Sequence, residues 1–224
     1  MKLIWDETGT RNLEGGISDV ALFPMTEQGA YGNGVAWSGV TAFNENPSGA
    51  DVTDLYADNI KYASLRAAEK YGFTIEAYQY PPEWAECDGS AEVVPGVFLG
   101  QQNRKAFGLV CKTQIGDDTH PGMDKGYKLH IIYNSTASPS SRSYTTINEN
   151  PDAISFSWEG NSTPVNVADA QHPDYSKYKA VSSITIDSTK VDATKLKALE
   201  DLLYGSDNGS ATLPSPATVL STIS

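Results

Sequence analysis

AFGLVCKTQIGDDTHPGMDKGYKLHIIYN, the stretch from Ala106 to Asn134, carries the reading of the fold. Phe107, Leu109, Cys111, Thr113 and Ile115 alternate with Ala106, Gly108, Lys112 and Gln114; later, Tyr127, Leu129, Ile131 and Tyr133 alternate with Lys128, His130 and Asn134. A period of two is the mark of a strand with one buried face. Between the two runs, Gly116 to Gly126 holds Asp117, Asp118 and Pro121 and reads as the end of a β-hairpin.

The same pattern recurs on either side. Phe73, Ile75 and Ala77 alternate with Thr74, Glu76 and Tyr78, and Ile154, Phe156 and Trp158 face one way. Ser182–Asp187 reads as a further strand, with weaker patterns at Ile60–Ala67 and Val20–Phe23. One helix is clear: Asp192 can cap it, Leu196, Leu199, Leu202 and Leu203 form its apolar stripe, and Gly205 stands at its end. It should pack on a sheet. A helical turn is expected over Pro82–Glu86, and the closing run from Pro216 to Ile223 reads as a short arm or helix. Val165–Lys179 and Ser206–Pro216 read as long connections. Asn-Glu-Asn-Pro occurs at Asn44–Pro47 and Asn148–Pro151, each time as turn chemistry. The expected fold class is mainly β with one or two flanking helices, in a single domain over 1–224.

At 224 residues the chain can bury roughly 70% of its unfolded surface, so no metal or disulfide is needed for stability. Acidic residues outnumber basic ones 28 to 16, a net charge of −12, which opposes ordinary binding to a phosphate backbone. Asp6 and Glu7 interrupt the apolar start, so neither a signal peptide nor a membrane span is expected there, and the chain should be made in the cytosol. Asn-x-Ser/Thr triplets at Asn134, Asn161 and Asn208 then read as turns. Cys87 and Cys111 are too few for a disulfide framework, and free thiols are expected.

Chemistry-bearing motifs are sparse. Gly32-Asn33-Gly34 lacks the following glycine and helix of a dinucleotide site; phosphate loops, serine elbows and paired zinc histidines are not found. His120, His130 and His172 are dispersed, and Asp117, Asp118 and Asp124 read as a solvated hairpin tip in preference to a calcium loop. Pairs such as Glu83/Glu86 or Glu76/Glu92 carry little weight as an acid–base couple in so acidic a chain. No enzyme and no cofactor are expected. The 12 Tyr and 4 Trp are the more telling load, because such side chains favour interfaces and carbohydrate clefts. Phe107, Phe156 and Trp158 read as core, whereas Tyr31, Trp37, Tyr56, Tyr78 and Tyr80 read as interface candidates.

Several blocks, in order, resemble the major tail proteins of long-tailed phages. They are Leu-Ile-Trp-Asp from Leu3, Tyr-Gly-Asn-Gly-Val-Ala-Trp from Tyr31, Asn-Pro-Ser-Gly-Ala from Asn46 and Leu-Tyr-Ala-Asp-Asn-Ile-Lys-Tyr from Leu55. Pro-Gly-Val-Phe-Leu-Gly-Gln-Gln from Pro95, Ala-Ile-Ser-Phe-Ser-Trp-Glu from Ala153, Thr-Ile-Asp-Ser-Thr-Lys-Val-Asp from Thr185 and a Leu-Tyr-Gly at the helix end continue the series. The stretch 169–179 and the uncharged C-terminus depart from that pattern.

The resemblance implies a β-sandwich flanked by a helix, in sixfold rings whose strands join in an inter-subunit β-barrel, stacked into the virion tail tube that delivers the genome. It implies an N-terminal arm, an extended loop at about 42–59 and a C-terminal arm reaching neighbouring rings. Partners would be copies of itself, a tape-measure protein and tail terminator or distal tail proteins, with viral DNA passing unbound and no membrane contact. Assembly would take place in the host cytoplasm. Trp5, Trp37, Pro47, Leu55 and Tyr56 are the expected inter-subunit contacts, because the 44–59 loop has no evident partner in its own strands. Thr74, Glu76, Gln114 and His130 are candidates to line the lumen, although a period-two pattern leaves open which face meets the bore. A ring of six copies at −12 would carry −72, which would keep a passing duplex from sticking. The alternative reading is a carbohydrate-binding or adhesive β-sandwich of a virion or cell surface; an enzyme stands third.

Overall fold

The computed structural model describes residues 3–146, 153–207 and 209–224. The Asn148–Pro151 turn and Asn208 itself fall outside these residues. In chain order the strands are β1 (Leu13–Pro24), β2 (Val35–Ala36), β3 (Val40–Glu45), β4 (Ser48–Gly49), β5 (Val52–Ala57), β6 (Ile60–Arg66), β7 (Glu69–Ala77), β8 (Ala91–Val94), β9 (Val97–Leu99), β10 (Phe107–Gly116), β11 (Gly126–Ala137), β12 (Phe156–Ser162) and β13 (Ser183–Asp187). The helices are α1 (Trp84–Cys87), α2 (Ala193–Tyr204) and α3 (Pro216–Ile223). The protein is mainly β with flanking helices, as the alternation requires.

The main sheet runs β2-β1-β10-β11-β12-β7-β3, every pair antiparallel. On its edge away from β10, the long strand β11 serves two partners: Lys128–Ile132 pairs β13, and Ser135–Ala137 pairs β12. Asn134, at φ 43°, sits at the change of partner. The register shift lets one strand turn the corner between two layers, as bulges and bends do in sandwiches. The path keeps two ends, β2 and β3, so hydrogen bonding does not close a barrel within the chain.

Two cores lie on the two faces of β10 and β11. The first gathers Leu22, Trp37, Phe73, Ile75, Trp84, Phe107, Leu109 and Trp158. The second gathers Phe23, Val110, Leu129, Ile131, Tyr133, Leu199 and Leu203 beneath α2 and α3. The face of β10 that the alternation assigns to solvent is therefore covered in its first half. Gly108 is small for this reason, since a Cβ there would stand 2.2 Å from Leu213 Cδ2. Lys112 on the same face is accommodated as a clamped cation: its Nζ meets Glu200 Oε1 at 2.7 Å and Asp19 Oδ2 at 3.3 Å, and lies 4.7 and 4.9 Å from the ring centroids of Tyr127 and Tyr204.

The helices follow their capping chemistry. Asp192 accepts from the Thr194 and Lys195 amides and starts α2; Gly205 at φ 83° ends it. Leu196, Leu199 and Leu203 turn inward, whereas Leu202 is exposed. Ser215 caps α3 and Pro216 occupies its first turn, so the segment anticipated as an arm or helix is a helix. Its Ala217 and Val219 are buried, so α3 is docked on its own chain.

Candidate functional site

The segment expected to be an extended loop at 42–59 is the ascending strand of a long β-ribbon. β3 pairs β7 from Val40↔Ala77 to Glu45↔Phe73, Ser48↔Lys70 and Gly49↔Glu69 continue the ladder, and β5 pairs β6 from Val52↔Arg66 to Ala57↔Ile60. Asn46 N–H donates to Gly72 O, and Ala67 N–H to Asp51 O at 2.9 Å, so the two strands stay in register through Pro47. Asp58 at φ 50° and Asn59 at φ 63° make the tip, the two left-handed residues a primed two-residue turn demands. The partner missing from the sequence reading was β6, which had only a weak strand pattern of its own.

The ribbon has two unlike halves. Near the body, Phe43, Phe73, Ile75 and Ala77 pack into the first core. Beyond Pro47 none of the described residues covers it: Val52, Leu55, Tyr56, Ile60, Tyr62 and Leu65 are 42–75% exposed. At about 3.4 Å per residue, β5 and β6 project about 20 Å. Register places Leu55 and Leu65 on one face and Val52 and Tyr62 on the other, so the projection is apolar on both sides. An isolated two-stranded hairpin is marginal in water, and open edges invite a further strand.

A second projection was not read from the sequence. β8 and β9 form a hairpin around Pro95-Gly96, with Gly96 at φ 82°; Val93, Val94, Val97, Phe98 and Leu99 are each about half exposed. Its base is closed where Gln102 N–H donates to Gly89 O and Lys105 N–H to Glu86 O. The available signal was the Pro-Gly pair between two apolar runs, a turn between strands too short to alternate visibly.

Of the expected inter-subunit contacts, Leu55 and Tyr56 lie on the bare ribbon, Pro47 is exposed at its neck, and Trp5 is 74% exposed. Trp37 is a correction. It is 3% exposed, its ring centroid lies 4.6 Å from that of Trp84 and 5.6 Å from that of Trp158, and its Nε1 donates to Gln79 O at 2.8 Å. Flanked by short polar segments it looked superficial, but the turn after β2 carries it into the first core.

The four lumen candidates do not share one surface. His130 is the register partner of Cys111 and faces Thr113, whose hydroxyl lies 2.9 Å from Nε2. Gln114 points to the opposite side of β10, with Lys112 and 3.5 Å from Ser18 Oγ. Thr74 and Glu76 lie on β7 across from Phe73 and Ile75, and Thr74 Oγ1 accepts from Asn46 Nδ2. His130 instead belongs to a groove of about 520 Å³ with Glu14, Glu45, Thr113, Lys128 and Thr185. Burial pushes its imidazole below the ordinary range, against the pull of Glu14. Burial acts to raise Glu14, but hydrogen bonds from Lys128 and Thr113 outweigh it and hold the carboxyl low.

The hairpin tip between β10 and β11 is solvent-exposed at Asp118 and Asp124, as expected, but Asp117 at its base is not. Asp117 is 3% exposed; its Oδ1 accepts from the Thr119 and His120 amides, and its Oδ2 pairs with Lys125 Nζ at 2.8 Å. That carboxylate is committed to the turn. Among the described residues no group of three or more His, Cys, Asp or Glu is placed to hold a metal. Cys87 and Cys111 are buried free thiols, each pushed up to about 12 by burial. Among the described residues no helix is long and apolar enough to cross a membrane. None of the protein-family models matches the chain, and a search of curated proteins gives no significant match.

Proposed function

We propose that this chain is a structural subunit that polymerises with copies of itself into a tube, as stacked hexameric rings serving as the tail tube of a long-tailed phage. The observation that carries the reading is the β5–β6 projection, a regular ribbon with six large apolar side chains bare on both faces. A monomer gains nothing by extending apolar surface about 20 Å into water; a polymer recovers it by covering each ribbon with a neighbour. Asymmetric joints of this kind, repeated head to tail, close into rings or extend into filaments. The ordered block resemblance supplies the sixfold ring and the phage setting. The −12 charge suits a conduit that DNA slides through without adhering.

Electron microscopy of the purified protein over a concentration series tests this directly. Rings or tubes of constant width are expected as concentration rises. A protein that stays monomeric throughout, or that associates only when glycan is supplied, would overturn the reading, the latter in favour of an adhesive β-sandwich.

A further inference from the structure

A single hydroxyl proton fixes the state of His130. Thr113 Oγ1 lies 2.6 Å from Glu14 Oε1 and 2.9 Å from His130 Nε2. A carboxylate only accepts, so the one Thr113 proton goes to Glu14, and the Thr113 oxygen must then receive Nε2–H from the ring. Lys128 pairs with the other Glu14 oxygen. Burial, against the pull of Glu14, keeps the imidazole below its ordinary range; at Glu14, burial is outweighed by the Lys128 and Thr113 hydrogen bonds, so the carboxyl stays ionised. The hydrogen-bond network thus assigns the neutral ring its proton on Nε2 and leaves Nδ1 bare. Thr185 Oγ1 stands 3.4 Å from Nδ1, longer than an ordinary hydrogen bond.

The surroundings of that bare nitrogen select what can donate to it. The groove of about 520 Å³ that His130 lines is of a size that holds small ligands. Its charged groups are Glu14 and Glu45 against Lys128, two carboxylates to one ammonium, and Cys111 beside them is a neutral thiol. Lys128 is engaged by Glu14, whereas Glu45 is met by a neutral donor, its Oε1 accepting from Tyr71 Oη at 2.6 Å. Ile17 and Phe43, packed against the first core, supply an apolar wall. A fitting ligand therefore donates hydrogen bonds, carries positive charge and has a short hydrocarbon body. We propose that the groove is a binding site for a compact alkylammonium ligand, its head donating to His130 Nδ1 beside Glu45 and its stem lying on Ile17 and Phe43. Thr113 and Glu14 are positioning residues, acting through the ring by fixing which nitrogen is free. The site is complete within one copy, so it stands or falls independently of the tube reading.

The test is nitrogen NMR of the full-length protein with isotope-labelled histidine, in solution or as sedimented polymer, with His130→Gln assigning the ring signals. At neutral pH, Nε2 is expected to be protonated and Nδ1 bare, and n-butylammonium should shift Nδ1 to saturation. 1-Butanol, which lacks the charge, and sodium chloride, which lacks the stem, should each be less effective by roughly tenfold or more. Glu45→Gln should weaken the butylammonium response by roughly tenfold and leave the tautomer unchanged. Thr113→Val keeps the side-chain shape and removes the relay; it should abolish the tautomer preference and weaken the response by about twofold or more, since only rings with a bare Nδ1 bind. A proton on Nδ1 in the wild-type protein, no shift with butylammonium, an equal shift with butanol or sodium chloride, or an undiminished response in Glu45→Gln overturns the proposal. Glu45 is exposed at the end of β3, so that variant decides even where Thr113→Val fails to fold.

Discussion

Removing Val52–Arg66 separates the ribbon's role in folding from the role proposed for it in assembly. The cut ends are already neighbours, since Ala67 N–H donates to Asp51 O at 2.9 Å, so an Asn-Gly turn can rejoin them. None of the deleted residues belongs to either buried cluster. Shortening the connection changes closure entropy by only about 0.6 kcal/mol per halving of its length, so monomer stability should move by less than about 2 kcal/mol. For a chain of this size that is a shift in Tm of a few degrees, roughly 2–4 °C per kcal/mol. Assembly should respond differently. Full burial of one such side chain contributes about 1.5–3 kcal/mol. Taking a third of that for each of the six bare side chains gives about 3–6 kcal/mol per joint, or two to four factors of ten in association. Thermal denaturation reads the first effect, and sedimentation of polymer against concentration reads the second. A deletion variant that polymerises at the wild-type concentration would refute the assignment of the ribbon as a joint. One that unfolds would refute the claim that the ribbon lies outside the folding unit.

Trp37→Ala should behave in the opposite way, lowering stability by about 3–5 kcal/mol because it empties the centre of an aromatic cluster, while assembly of the folded fraction is retained; chemical denaturation paired with sedimentation checks both. Asp117→Asn removes the partner of Lys125, which with the Thr119 and His120 hydrogen bonds holds the Asp117 carboxyl well below the ordinary carboxylate range. A depressed folded value stabilises above the unfolded value of about 3.9 and is lost as pH falls through the folded one. Urea titrations should therefore show the variant less stable at pH 7, with the gap narrowing as pH drops below about 4. Cys87 and Cys111, buried with their thiols pushed up to about 12, should stay unmodified by a thiol reagent at neutral pH until the protein is unfolded.

What was legible in the amino-acid order is local. Strict alternation marked the core halves of β7, β10 and β11, because a strand with one face in a core repeats every two residues. Asp192 and Gly205 bracketed α2 for the same kind of reason: a cap satisfies its own first amides, and a left-handed stop needs no distant partner. The tyrosine load hinted at an interface without placing it.

Non-local pairing decided the rest. Whether Val110 and Gly108 face water or a second core depends on where α2 and α3 return, some ninety residues later. Trp37 differs from Tyr56 only in what the fold brings against it: Trp84 and Trp158 surround the first, and among the described residues the second lies bare. The 44–59 segment read as a loop because its hydrogen-bond partners lie in β7 and in β6, and β6 has only a weak strand pattern of its own. Backbone pairing and burial are properties of two segments at once, and a sequence read along its length reports on one.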